Sequence, residues 1–214
     1  MAKTIIPTER VRKVSGGWII PSETGDCELR EKLIPSMTQN ELTGYNSRGV
    51  HSLSMPGYFQ SVLGAGYDLR EKGGQVEGMR QFLQDTIRNY FPQTLTRGIY
   101  MPRGQKDGVV NGYGTQFEKK IEVDLVGEDG PLEKVLSLEA SLALTGKNPM
   151  EVKEILDWIN ETRLSNILRL NSKSDSVDVR VARFSACSGR ASLYCDGGPS
   201  VSYSSLGVRF GAKK

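Results

Sequence analysis

The chain has 214 residues, of which 37% are hydrophobic, 25% are charged and 24 are glycine, with a formal net charge of +3. That length can bury a real core, and the composition is that of a loop-rich globular protein, which excludes disordered and fibrous classes. The near balance of charge gives no electrostatic reason to expect a nucleic-acid partner, and the three cysteines (Cys27, Cys187, Cys195) are too few for a disulfide framework.

A single domain over residues 1–214 is expected. No apolar run is long enough for a membrane span or for the core of a signal peptide, so synthesis in the cytoplasm without membrane insertion is the expectation. The stretch Val11 to Ile20 ends in a short strand bounded by Pro21, and a polar, turn-rich passage then runs through Gly44 to Gly49. His51 is the only histidine; without a Ser or Cys partner motif it reads as an ordinary polar residue. Gly64-Ala-Gly66 lacks the third glycine and the Gly-Lys-Ser/Thr ending of a phosphate loop, so it reads as a bend or a place of tight packing.

Val76, Met79, Leu83, Ile87 and Tyr90 recur at helical spacing, and Pro92 ends the run, which predicts a helix over about 75–91. Residues 93–116 are basic and glycine-rich, with Arg97, Arg103 and Lys106 among Tyr100 and Tyr113. A solvated loop and hairpin is expected there, turning at Asn111-Gly112, in preference to a groove for single-stranded nucleic acid. Phe117 to Val126 alternates apolar and charged residues as a half-buried strand does. Leu132 to Leu144 fits either period; its position after a turn region that closes a hairpin favours a strand. Asn148-Pro149 supplies a cap and a first-turn proline for a second helix over about 149–162, with Val152, Ile155, Leu156 and Ile159 inward.

From Phe184 to Gly207 the grammar changes. Framework-like residues (Phe184, Ala186, Ala191, Leu193, Cys195, Pro199, Leu206) are interleaved with Ser, Cys, Gly, Arg, Tyr, Asp and Val. Alternation of this kind places one set of side chains on the core and displays the other. The run also contains no Lys, Glu, Gln, Met or Trp, the five residues that no codon ending in C or T encodes. A Gly/Ser-rich surface ribbon excludes long side chains by itself; a restricted, randomised template gives the same alphabet.

The segments Arg169-Leu-Asn-Ser172, Val179 to Ala186 and Tyr203 to Phe210 resemble the C-terminal part of C-type lectin folds of the formylglycine-generating-enzyme type, which close on a Gly-hydrophobic-Arg strand. With the restricted alphabet just before that motif, the chain is most similar to the variable proteins of diversity-generating retroelements, in the viral and archaeal branch. The resemblance covers about the last third of the chain. It implies an α+β, C-type lectin-like fold, with two helices packed on a small twisted antiparallel sheet, and a diversified region over about 180–206. It further implies a non-enzymatic protein without a cofactor, whose partner is a protein or cell-surface ligand, and which associates with a virion or a cell surface. The variable, ligand-binding positions implied are Ser185, Cys187, Gly189, Arg190, Ser192, Tyr194, Asp196, Gly197, Gly198, Val201 and Tyr203.

The oxidase branch of that fold uses a copper-binding cysteine pair. Cys187 and Cys195 are spaced more widely than that pair, so an oxidase or its relic is the alternative reading, and a nucleic-acid-binding phage protein is a weaker one. For the two cysteines, a disulfide, a metal site and two unrelated thiols are all open, the last being favoured. The Glu/Gln-Pro-Asn/Asp signature of calcium-dependent sugar binding is absent, since Pro199 lies between Gly198 and Ser200.

Overall fold

A computed structural model describes residues 11–21, 26–64, 67, 74–125, 130–161, 167–170, 175–187 and 190–211; for 167–170, 186–187 and 190–192 it describes the backbone alone. Helix α1 (Gln39–Thr43) begins at a capping box formed by Thr38 and Glu41. Helix α2 (Met55–Tyr58) starts on Ser54 and runs on as a π-helical turn, Phe59–Leu63. The predicted amphipathic runs form α3 (Gly74–Tyr90) and α6 (Pro149–Asn160). Val76, Met79, Leu83 and Ile87 of α3 are buried, as are Val152, Ile155, Leu156 and Ile159 of α6. Tyr90, expected on the same stripe, is 53% exposed.

Leu132 to Leu144 is helical, against the expectation of a strand. It forms α4 (Leu132–Val135) and α5 (Leu138–Thr145). The termini settle the choice between periods: Ser137 accepts a hydrogen bond from the Ala140 amide, and Gly146 takes the left-handed conformation that closes the last turn.

The strands form two sheets. The smaller joins β1 (Arg12–Val14), β2 (Gly17–Ile20), β3 (Cys27–Met37) and β11 (Tyr203–Phe210), in that order. The larger has seven strands, in the order β6 (Lys119–Glu122), β5 (Gly108–Asn111), β4 (Gln93–Tyr100), β9 (Asp178–Cys187), β10 (Arg190–Gly197), β8 (Ile167–Leu170) and β7 (Gly130–Pro131). Every pairing is antiparallel except β10 with β8. The architecture is therefore α+β, built on two largely antiparallel sheets.

The terminal strand is ordered and buries Leu206 and Val208, but it pairs with β3, in a part of the chain expected to be turns. The charged middle of β3 (Arg30, Glu31, Lys32) hides its alternation. The expected loop over residues 93–100 is instead an interior strand, buried along most of its length. Its polar residues are satisfied by side chains: Thr94 Oγ1 donates to the Ala182 carbonyl at 2.8 Å, and Thr96 Oγ1 to Asn111 Oδ1 at 2.7 Å. The β5–β6 hairpin does turn after Asn111, but through residues 112–118, with Asn111 opposite Lys119. Gly64 closes the π-helical turn, its amide donating to the Phe59 carbonyl, and a Cβ there would lie 2.2 Å from that same oxygen; Ala65 and Gly66 lie outside the described residues.

Candidate ligand-binding surface

Strands β9 and β10 are the ribbon over which framework and displayed residues were expected to alternate. Their register pairs Phe184 with Leu193, Ala182 with Cys195, Tyr194 with Arg183, and Ser192 with Ser185. Opposed residues in an antiparallel pair share a face, so Phe184, Leu193 and Cys195 do lie on one face and Ser185 and Tyr194 on the other. The first face is core: Phe184 is fully buried against Tyr58 and Phe59, and Leu193 and Cys195 are 1% exposed.

The second face is not open. Ser185 is 1% exposed and Tyr194 is 6% exposed, which corrects the expectation that both are displayed. The chain leaving β10 turns back over this face. Tyr203 comes to rest above Gly197, where a Cβ would lie 3.6 Å from its Cε2. The Arg183 guanidinium lies between two rings, 4.6 Å from Tyr203 and 5.8 Å from Tyr194, and donates to Asp196 Oδ1 at 3.0 Å. Arg180 donates to the Asp196 carbonyl at 3.0 Å, near the bulge between Cys195 and Gly197. Asp196 and Tyr203 are consequently half-buried, and Gly197 is buried. Gly189 lies outside the described residues, as do the side chains of Cys187, Arg190 and Ser192.

Ser200, Val201 and Ser202 are exposed, with Val201 at 43%, while Gly198 and Pro199 beside them are half-buried. The Val201 amide donates to the Gly198 carbonyl at 3.1 Å, which closes the turn. Anchors from elsewhere in the chain hold both ends. The Gln39 amide donates to the Pro199 carbonyl at 3.3 Å, and Gln93 Nε2 donates to the carbonyls of Tyr203 and Met37 at 3.0 and 2.6 Å. Ser205 Oγ donates to the Gln93 carbonyl at 2.8 Å and lies 2.7 Å from Ser52 Oγ. Arg180 and Arg183 lie in the Val179–Ala186 strand that the sequence marks as framework, whereas Gln39 and Gln93 carry no motif. Both glutamines are fully buried, and a buried amide is a bonded one, but burial has no local signature in the sequence.

Cys195 is packed under β4: a Cβ on Gly98 would lie 2.7 Å from its Sγ. Burial pushes its thiol from 9.0 up to about 11, so it is a neutral small hydrophobe at ordinary pH. His51 pairs with Val208 through the backbone and rests its ring 5.5 Å from Phe210. Arg97, in the basic stretch, is engaged inward: its guanidinium donates to Gln39 and lies 3.2 Å from the Tyr113 ring. Among the described residues no three His, Cys, Asp or Glu side chains converge as metal ligands, and no helix is long and apolar enough to cross a membrane.

Compared with protein families, with curated proteins and with solved structures, the chain matches none.

Proposed function

We propose that the chain is a non-enzymatic ligand-binding protein of the retroelement-diversified kind, on a C-type lectin-like version of its α+β fold. The turn 198–202, with Asp196 and Tyr203 at its edges, is the part of the codon-restricted run that meets a ligand. One observation carries this reading: Ser200, Val201 and Ser202 stand out from a turn whose two ends are fixed by Gln39 and Gln93, which lie outside the run. Residues held in this way can be exchanged without disturbing the backbone that presents them. A tyrosine and an aspartate beside small residues is also the composition of adaptable protein-binding surfaces. Ser185 and Tyr194 belong to the frame in this reading, and the displayed set shrinks accordingly. The oxidase alternative has less support, because the Cys195 Sγ is packed beneath Gly98 of β4, with the residue 1% exposed, which leaves a substrate no approach to it.

The test is genomic. A second, near-identical copy of the DNA encoding residues 180–206 should lie close to the gene, differing at positions where the copy carries adenine. Those differences should concentrate in the codons of exposed residues such as Ser200 and Val201. Absence of the copy, or differences spread evenly through the codons of Phe184, Leu193 and Leu206, would contradict the proposal.

A further inference from the structure

We infer that Arg97 on β4, framed by Gln39, Asn40 and Tyr113, is a binding site for a single carboxylate presented by a protein ligand. None of these residues belongs to 185–203, so the inference stands whether or not the codon-restricted run is exchangeable.

A comparison among arginines is the first observation. Arg80 is buried and pairs with Glu77 and Glu161; Arg180 and Arg183 are half-buried and pair with Asp178 and Asp196. Arg30 and Arg209 are half-buried and share Glu28. Arg97 is half-buried as well, yet among the described residues no carboxylate lies within ion-pair reach of it. Burial pulls its pKa below the ordinary arginine value, against the opposing influence of Tyr113 and Glu118. A cation taken partly out of water ordinarily has an anion beside it. At Arg97 that anion is left for a ligand to supply.

The second observation is that neutral groups hold the guanidinium in place. Its Nε donates to Gln39 Oε1 and its Nη2 to Asn40 Oδ1 at 2.8 Å, so two amide oxygens occupy one edge of the fork. The Tyr113 ring covers a face at 3.2 Å. Tyr113 is fixed in turn. Its amide donates to the Leu95 carbonyl at 2.9 Å, and the hairpin around it presses on α1, where a Cβ on Gly114 would lie 2.6 Å from Thr43 Cγ2. The Nη1–Nη2 edge, which the amides leave over, matches the two oxygens of a carboxylate.

Charge and position choose the occupant. The site offers one guanidinium, with Glu41 next to Asn40 in α1 and Glu118 acting on Arg97 from the hairpin. A nucleic-acid strand has a phosphate at every step, needs several cations, and would meet those carboxylates. A lone Asp or Glu side chain needs one cation only. Gln39, whose side chain holds Arg97, also donates its backbone amide to the Pro199 carbonyl at 3.3 Å. The carboxylate is therefore bound beside the exposed turn 198–202, on ground that one protein surface can cover.

The test is nuclear magnetic resonance of the arginine Nε–H groups of the full chain. The probe is an acetylated, amidated heptapeptide of glycine and serine with one central glutamate. One control carries glutamine instead, and the other is a hexamer of deoxythymidylate. The Arg97 signal should shift saturably with the glutamate peptide alone, and the shift should shrink as salt is added. Asn40→Asp places a carboxylate on Nη2 from within the chain. It should abolish the response without lowering the melting temperature, because Asn40 is exposed and the change keeps its shape. Arg97→Lys, followed through the peptide's glutamate resonances, keeps the charge but loses the fork. It should weaken binding about tenfold, the effect of one charge-assisted hydrogen bond. The inference is overturned if the Arg97 signal stays still, if both peptides move it equally, or if the hexamer moves it at lower concentration than the glutamate peptide does. A response of Asn40→Asp equal to the parent's overturns it too, and decides the matter alone should Arg97→Lys not fold.

Discussion

Arg183 does at the residue scale what the whole surface depends on. Its guanidinium ties Asp196 on β10 to the ring of Tyr203 at the start of β11, and both members of the ion pair are largely out of water, at 15% and 17% exposure. Removing one partner of such a pair leaves the other poorly solvated. Arg183→Ala should therefore destabilise the protein by about 2 kcal/mol in urea unfolding. Tyr194 and Leu193 make a second comparison, since they point to opposite faces and both are buried. Leu193→Ala and Tyr194→Ala should each cost about 2–5 kcal/mol, whereas Val201→Ala should stay within about 0.5 kcal/mol. A small effect at Tyr194 would mean that its face is open after all.

Buried acids give the pH dependence. Burial raises Cys195 to about 11 and Cys27 to about 12, and raises Tyr58 as well. The unfolded chain releases these protons at lower pH than the folded one, so from about pH 9 upward it holds fewer of them. Stability should then fall as pH rises from 9 through 11, a decline read by thermal melts across that range. Cys195 should resist iodoacetamide at pH 8 in the native state and react once the chain is unfolded.

Among the elements, helix ends carried more sequence information than hydrophobic periods did. Pro92 and the Asn148-Pro149 pair placed a boundary of each long helix to within a residue or two of the observed ends. Leu132 to Leu144 misled because its leucines satisfy both periods; the Ser137 cap and the left-handed Gly146, with φ of 72°, decide the matter. Asn148→Ala should cost about 1 kcal/mol through loss of its capping box, and Gly146→Ala a comparable amount from its positive φ. Strand β4 was illegible for another reason. A polar interior strand such as Gln93–Tyr100 is stable only because Ala182, Asn111, Met37 and Tyr203 supply its partners, and those come from distant parts of the chain.

At the scale of the molecule, the sequence pattern distinguished the two faces of β9 and β10 but not their exposure. Alternation fixes which side chains share a face; whether water reaches that face depends on Tyr203 and Arg183 folding across it, a tertiary event with no local signature. The described part of residues 184–207 therefore divides into a frame that includes Ser185 and Tyr194, and an exposed turn centred on Val201.

Two combinatorial libraries of the full chain measure that division directly. One varies Ser200, Val201 and Ser202 together within Asn, Ser, Asp, Tyr, Gly and Arg; the other varies Ser185 and Tyr194 in the same alphabet. Soluble yield, circular dichroism and melting temperature are recorded for each member. Most of the first library should keep the parent spectrum and melt within about 3 °C of the parent, the shift expected of substitutions worth under 1 kcal/mol. Most of the second should be lost from the soluble fraction or melt far lower. If the first library fails to fold as often as the second, the turn is part of the frame, and the claim of an exchangeable binding surface is contradicted.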